Sequence, residues 1–202
     1  MRFSSFWLLP KLAEFRRRHP GLQIRIISQD AKFNMDAGEV NIAFHYGVSS
    51  PPGTTAIAST GDRIFPVCSP DYKANHDLEQ FPSGSYDLIE TDVSSRSWVR
   101  WADWFAMTGR RSEIAKPALR FSHYTETISA ARAGQGVALG WDTLIRSFLE
   151  DGTLVKAGDI EFDAEGLHMI LVPASARRSP VIDIVSSWLT QALQQPGPGT
   201  VS

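Results

Sequence analysis

Apolar and polar residues along this chain switch repeatedly between helical and strand spacing, which is typical of an α/β protein. Residues 125–141, TETISAARAGQGVALGW, predict a helix, a tight glycine turn and a buried strand. Thr125 is a candidate N-cap, and Gly134 suits the left-handed position just past a helix C-terminus. Residues 137–140 are apolar in succession, so we expect a strand covered on both faces in a parallel sheet, ending in a crevice at Trp141.

The same periodicities predict the other elements. Leu8, Leu9, Leu12 and Phe15 mark one face of a first helix that begins close to Pro10. The remaining elements are a strand at residues 22–26, a helix at 33–38, strands at 40–46, 57–59 and 64–69, a helix at 71–81, a strand at 86–90, helical spacing at 98–105, strands at 119–121, 154–155 and 167–172, and helices at 144–149 and from Pro180.

Three local features have both a structural and a functional interpretation. Residues 16–19, RRRH, could form a DNA-binding or phosphate-binding patch, but solvated cations at a helix C-terminus explain them better. The aromatic residues of 98–105 could form a stacking platform, and core packing is favoured because few cations lie near them in sequence. Cys68 lies in an apolar run, so a buried small side chain is favoured over a reactive thiol.

Composition limits the classes of function. The chain has 202 residues, a net charge of -2 and a pI near 6.2, which gives no overall field that would attract a polyanion. A single cysteine fits a reducing cytosol, and no apolar run of about 18 residues could span a bilayer. We therefore expect a cytoplasmic protein without a membrane partner. No metal-ligand spacing, nucleophile motif or phosphate loop is found, so we predict no catalytic residue, metal or cofactor.

Several segments together resemble the effector-binding domain of LysR-type bacterial transcriptional regulators, and the glycine-cleavage-activator group most closely. A helix that ends A-x-x-A-G-x-G-V-A-L-G, as in residues 130–140, is similar to the family's pattern. The ordered set covers nearly the whole chain and comprises WLLP at 7–10, FRRRHP at 15–20, VNIAFHYG at 40–47, FPVCSP at 65–70 and residues 98–104.

The resemblance implies an α/β fold of two Rossmann-like subdomains joined by two crossover strands, similar to type II periplasmic binding proteins. We expect subdomain I at residues 1–68 and 171–195, subdomain II at 69–170 and a disordered tail at 196–202. A first strand is expected before the first helix, and residues 1–4 are either its remnant or the result of a cut inside it.

The cleft between the subdomains is the expected effector site. Two helix N-termini facing it would bind a small carboxylate, sulfate or phosphate through backbone amides. Ser4 and Ser5 are interpreted equally well as caps and as ligand contacts, and both roles can coexist. The family position of His45 is more often arginine, so a histidine there either alters charge or pH preference or is a structural residue. The predicted effector-binding residues are Ser4, Ser5, Ser28, Gln29, His45, Ser122, His123, Thr125 and Trp141.

The family also implies partners. We expect a small anionic or amino-acid-like effector, a homodimer or homotetramer, and DNA contact only through an N-terminal winged helix that these residues do not include. Two other classes remain open. A solute-binding protein of a transport system would be favoured by an export signal, and a small α/β enzyme by turnover that His123→Ala abolishes.

Overall fold

The computed structural model describes residues 4–27, 40–78, 81–92, 98–109, 116–175 and 179–194. A π-helical turn at Ser4–Leu8 leads directly into the first α-helix. The helices are α1 Leu9–Arg18, α2 Pro70–Asn75, α3 Trp101–Met107, α4 Tyr124–Arg132, α5 Asp142–Glu150 and α6 Pro180–Gln194. The strands are β1 Ala43–Gly47, β2 Thr54–Thr60, β3 Arg63–Cys68, β4 Leu88–Thr91, β5 Leu119–Phe121, β6 Val137–Trp141, β7 Val155–Lys156, β8 Phe162–Asp163 and β9 Leu167–Pro173.

The strands form two sheets that we call sheet A and sheet B. Sheet A has the order β1-β9-β2, and β9 pairs antiparallel with both neighbours. Sheet B has the order β5-β4-β6-β3-β7, with β8 also paired to β3. The chain passes from sheet A to sheet B through the turn between β2 and β3, and it returns through β9.

The strand β6 is fully buried, as its run of apolar residues predicts. Its surroundings differ from the prediction, because β6 pairs parallel with β4 on one side and antiparallel with β3 on the other. The sheet is therefore mixed rather than parallel. A strand that is covered on both faces is apolar throughout whatever the direction of its neighbours, so the sequence does not distinguish the two cases.

The predicted glycine turn before β6 is present. Gly134 has φ +74° and Gly136 has φ +144°. A Cβ on Gly136 would lie 2.5 Å from the carbonyl oxygen of Asp87, so the turn lies close against the residue that precedes β4. The predicted cap is wrong, because the N-cap of α4 is His123 and its side chain makes no capping hydrogen bond. Thr125 therefore lies within the first turn of the helix.

A large core joins the two sheets, and a small separate cluster of Ala43, Met169 and Leu171 lies within sheet A. The large core contains Trp7 beside the first helix, Ile170 of sheet A, Leu139 of sheet B and Leu189 of α6. The aromatic residues of the 98–105 segment belong to this core, as predicted, and Trp101, Trp104 and Phe105 are at most 1% exposed. Cys68 is also buried, and burial raises the pKa of its thiol to about 11.

Two predictions from periodicity fail. Residues 22–27 form no strand, and Ile24, Ile26 and Ile27 are more than a third exposed. Alternation gives a segment two faces but supplies no pairing partner, and none of the described strands pairs with this one. The apolar stripe of α6 is only partly in the core, because Val181 is 48% and Ile184 41% exposed.

The predicted helix at residues 33–38 and the tail at 196–202 lie outside the described residues, as do residues 1–3 of the predicted strand remnant at 1–4. Ser4 belongs to the π-helical turn and not to a strand. The division into subdomains at residues 68 and 171 stays a prediction. None of the described helices is long and apolar enough to cross a membrane.

Candidate functional site

Four aromatic side chains meet where sheet A faces sheet B. We call Tyr46, Trp98, Tyr124 and Trp141 the aromatic junction. The indole rings of Trp98 and Trp141 are stacked, with centroids 4.1 Å apart and an interplanar angle of 20°. Tyr46 packs edge-on against Trp141 at 4.9 Å, and Tyr124 packs edge-on against Trp98 at 5.1 Å. Such edge and offset arrangements are the favoured geometries of aromatic pairs.

Each ring reaches the aromatic junction from a different element. Tyr46 is near the end of β1, and its register partner on β9 is His168, whose ring lies 5.0 Å away. Trp141 is the last residue of β6, and Tyr124 is the first residue of α4. The backbone N–H of Trp141 donates a hydrogen bond to the Tyr124 hydroxyl at 3.0 Å, so the end of β6 is held against the start of α4.

The indole N–H of Trp141 is a buried donor without an acceptor. The side chain is fully buried, and its Nε1 has no hydrogen-bond partner in the part of the chain that the structure describes. A buried polar group without a partner costs about 1–3 kcal/mol. Such a group calls for an explanation, and an incoming ligand acceptor is one. The aromatic junction therefore contains a buried donor that no described residue uses.

Burial changes the protonation behaviour of Tyr46. Its hydroxyl oxygen accepts a hydrogen bond from the Gly166 N–H at 3.2 Å. Burial raises the pKa of Tyr46 to about 12, because the phenolate is poorly solvated there. Tyr46 is therefore neutral at physiological pH and retains its proton as a hydrogen-bond donor.

A buried carboxylate in the turn between β2 and β3 is bonded to β9, so it links the two segments by which the chain passes between the sheets. Asp62 lies in the turn between β2 and β3, and its Oδ2 is 2.7 Å from Nε2 of His168 on β9. Its Oδ1 accepts hydrogen bonds from the backbone N–H groups of Arg63 and Thr143, each at 2.9 Å. Since Thr143 lies in the first turn of α5, Asp62 caps that helix from outside it. We call Asp62 and His168 the crossing pair.

The structure places four of the predicted site residues near the aromatic junction. Ser122 is exposed and His123 half-buried just before α4, and Thr125 is half-buried in its first turn. All three flank Tyr124, which belongs to the junction. Trp141 is in the junction itself, where it is fully buried and the ring of Trp98 is stacked on its own ring.

The other predicted residues are placed less favourably or are not described. Ser5 is half-buried in the π-helical turn, next to Phe6, whose ring is 6.1 Å from that of Tyr124. His45 precedes Tyr46 on β1 and therefore points to the opposite face of the strand, where its ring lies against Gly47. Burial lowers the pKa of His45. Ser28, Gln29 and the side chain of Ser4 lie outside the described residues.

Sequence reasoning missed three members of the aromatic junction. Tyr124 lies inside the segment that was predicted to bind, but its ring had no assigned role. Trp98 was assigned to core packing because it shares the helical spacing of its neighbours, although α3 begins only at Trp101. Tyr46 lies in a segment that resembled the family. Because neighbouring residues of a strand point to opposite faces, Tyr46 could have been expected to face away from His45.

The described residues contain no group of three or more His, Cys, Asp or Glu placed to hold a metal ion.

Comparison with known proteins agrees with this architecture. The family model described as the LysR substrate binding domain matches residues 2–194. The glycine cleavage system transcriptional activator of Escherichia coli K12 is 30% identical over 155 residues, which are 76% of this chain and 50% of that protein. The AhcY transcriptional activator HvrB of Rhodobacter capsulatus is 26% identical over 192 residues, 93% of this chain and 62% of that protein.

Solved structures show the same fold. The effector domain of the transcriptional regulator AmpR of Pseudomonas aeruginosa has a TM-score of 0.71 at 23% identity, covering 96% of this chain and 92% of that one. The regulatory domain of CrgA, a LysR-type transcriptional regulator from Neisseria meningitidis, has a TM-score of 0.73 at 19% identity, covering 96% and 95%.

These findings confirm the resemblance that the sequence predicted, including the similarity to the glycine-cleavage activator. The fold is the α/β fold of LysR effector-binding domains, similar to type II periplasmic binding proteins. The chain spans about half the length of the first curated relatives it matches. Because the family model matches nearly all of its residues, the chain belongs to the LysR substrate-binding domain family.

Proposed function

We propose that this chain is the regulatory part of a transcription factor and binds a small effector between sheet A and sheet B. The observation that supports a ligand at this place is the fully buried indole N–H of Trp141, which has no acceptor among the described residues. The backbone N–H of Trp141 is bonded to the hydroxyl of Tyr124, the first residue of α4, and the N-cap side chain of that helix makes no capping hydrogen bond. We propose that the indole N–H and the amides of this helix N-terminus donate to one ligand, which suits an anion.

The effector class follows from these donors. The amides at the start of α4 and the Trp141 indole all donate, so the ligand must present acceptors, as a carboxylate, sulfate or phosphate does. The rings of Trp98 and Tyr46 add flat apolar surface beside them. A small anionic or amino-acid-like molecule fits both properties. Ser122 and Thr125 are the side chains that we propose to contact it.

Binding would act by selecting one arrangement of the two sheets. A ligand shifts a conformational equilibrium only by its difference in affinity between the states. Its contacts would come from α4 and β6 on one side and from β1 on the other, so an arrangement in which these elements are close binds it more tightly. We propose that the shift changes the geometry of a homodimer or homotetramer in the cytoplasm. A DNA-binding domain elsewhere in the protein would respond to that change.

We propose ligand binding without turnover. The relatives reported above are named as transcriptional activators or regulators. The hydroxyls at the proposed site, on Ser122 and Thr125, lie at a helix N-terminus, where their role is hydrogen bonding. A ligand that is recovered unchanged after prolonged incubation with the protein would agree with this proposal, and a chemical product would contradict it.

The test measures effector affinity in a double variant. Ser122→Ala with Thr125→Ala removes two hydroxyls that are proposed to contact the ligand, and we expect affinity to fall by about tenfold or more, since one lost hydrogen bond to a charged group costs at least about 1.5 kcal/mol. Ser129→Ala is the control. Its hydroxyl is exposed on the same helix and bonds only the carbonyl of Thr125. Unchanged affinity in the double variant would overturn the site.

A further inference from the structure

A cavity of about 870 Å³ opens between the first helix, the turn between β2 and β3, and α5. This volume lies within the range of ligand pockets, about 300–1,000 Å³. Phe6 and Trp7 supply apolar surface on one side, and Asp62 of the crossing pair forms part of the wall. The cavity does not include the aromatic junction, since none of the four rings lines it. It is therefore a separate place.

Most of the charges in this cavity are already paired. The guanidinium of Arg146 is 2.9 Å from the carboxylate of Asp142, and that of Arg63 is 3.3 Å from the same group. A charged group that is already paired contributes less to ligand affinity, because the ligand would have to replace an existing interaction.

Three charged groups that line the cavity have no ion pair with any described residue. Lys11 extends over the ring of Trp7, with Nζ 5.1 Å from the ring centroid. Glu150 on α5 and Asp163 on β8 are the two carboxylates. Glu150 lies close enough to Lys11 to raise the pKa of that amine, although burial and Arg146 lower it overall. The cavity thus offers an unpaired cation and unpaired carboxylates on walls that also contain apolar rings.

We propose that this cavity binds a zwitterionic small molecule, an α-amino acid with an apolar side chain, as a second ligand distinct from the effector. Its carboxylate would lie at Lys11, its ammonium at Glu150 or Asp163, and its side chain against Phe6 and Trp7. Opposite charges on one ligand satisfy both kinds of unpaired group at once, which a simple anion does not.

Such a ligand would touch both halves of the molecule. Lys11 belongs to the helix whose Phe15 stacks on Trp188 of α6, and α6 packs on sheet A. Glu150 belongs to α5, whose first turn is bonded by Asp62. Occupation of the cavity would therefore bias the relative position of the same two sheets that the effector acts on. The two sites would then be energetically coupled, and the coupling would be reciprocal.

The experiment is calorimetric titration of the chain with L-phenylalanine, L-leucine and L-methionine, together with phenylpropionate and phenethylamine, which lack one charge each. We expect saturable binding of at least one amino acid and at least tenfold weaker binding of both single-charge analogues. Lys11→Met and Glu150→Gln should each weaken the amino acid about tenfold, and Arg17→Met, which alters an exposed cation of the same helix outside the cavity, should not.

The double variant Ser122→Ala with Thr125→Ala separates this site from the effector site. The proposal predicts that it binds the amino acid as the wild type does. If the double variant no longer binds the amino acid while Lys11→Met still binds it, the amino acid occupies the proposed effector site at the aromatic junction, and the second site is refuted. Binding by none of the three amino acids would also overturn the proposal. Neither result bears on whether an effector of another class binds beside α4.

Discussion

At the residue scale, Asp62 illustrates how one side chain can hold two connections together. Its carboxylate bonds His168 across 106 residues of sequence and Thr143 across 81. The side chains of Asp62 and His168 are 0% and 2% exposed. A buried carboxylate is retained only when its oxygens are satisfied, and removing it leaves its donors without partners.

Asp62→Ala should lower the free energy of unfolding by about 3 kcal/mol, because His168 and the amides of Arg63 and Thr143 would lose a buried acceptor. Urea denaturation measures this change. The matched control is Asp159→Ala, an exposed aspartate for which we expect a change within about 0.5 kcal/mol. Equal stability of the two variants would show that the crossing pair does not stabilise the fold.

Tyr46 gives a second prediction at this scale, in its response to pH. Its pKa is about 12 in the folded chain, above the ordinary value of about 10 for an unfolded tyrosine. The contribution of the neutral Tyr46 to the free energy of unfolding is therefore complete below about pH 10 and is lost as the pH rises toward 12. Between about pH 9 and pH 11 the wild type should lose more unfolding free energy than Tyr46→Phe. The same loss in both proteins would contradict the burial of this hydroxyl.

At the element scale, the turn between α4 and β6 depends on the absence of a side chain. Gly136 has a positive φ, and a Cβ there would lie 2.5 Å from the Asp87 carbonyl oxygen. Gly152 also has a positive φ, of 73°, but a Cβ there would meet nothing within 4 Å. An alanine at Gly152 would thus introduce backbone strain alone, whereas an alanine at Gly136 would introduce both backbone strain and a steric clash.

Gly152→Ala should cost only the strain of a left-handed alanine, about 1 kcal/mol. Gly136→Ala should cost about 3 kcal/mol or more, since the turn must also move away from the Asp87 carbonyl. Thermal unfolding of the two variants and the wild type measures the difference. A result in which Gly136→Ala is no less stable than Gly152→Ala would mean that the close approach to Asp87 is not present in solution.

Elements were predicted well from sequence where a local pattern determines them. The strand at residues 119–121 and the start of α6 at Pro180 agree with prediction, because a short alternation and a helix-starting proline are both local signals. Residues 22–27 show the limit, since they alternate correctly yet have no described partner strand. The cap at His123 was missed because Thr125 is a better cap by residue type, and the path of the chain from β5 overrides that preference.

At the scale of the whole molecule, the candidate site depends on contacts that no local pattern contains. Trp98 and Trp141 stack although 43 positions separate their numbers, and Tyr46 reaches both from the other sheet. The residues around Tyr124 were predicted from the pattern of a helix N-terminus, which is a local signal, and their contact with a ligand stays a prediction. The rings beside them were not, since one aromatic residue in a helical pattern resembles any other core position.

The central claim is that this domain binds a small anionic molecule between its two sheets, and thermal unfolding against a panel of amino acids, aromatic acids, sulfate and phosphate tests it most directly. A ligand at 100 times its Kd raises the free energy of unfolding by about 2.7 kcal/mol. We predict a saturable increase in Tm with one class of acid, reduced in the Ser122→Ala and Thr125→Ala double variant. An unchanged Tm with every compound would contradict the claim, as would an equal increase in the double variant for a compound that Lys11→Met binds as tightly as the wild type does.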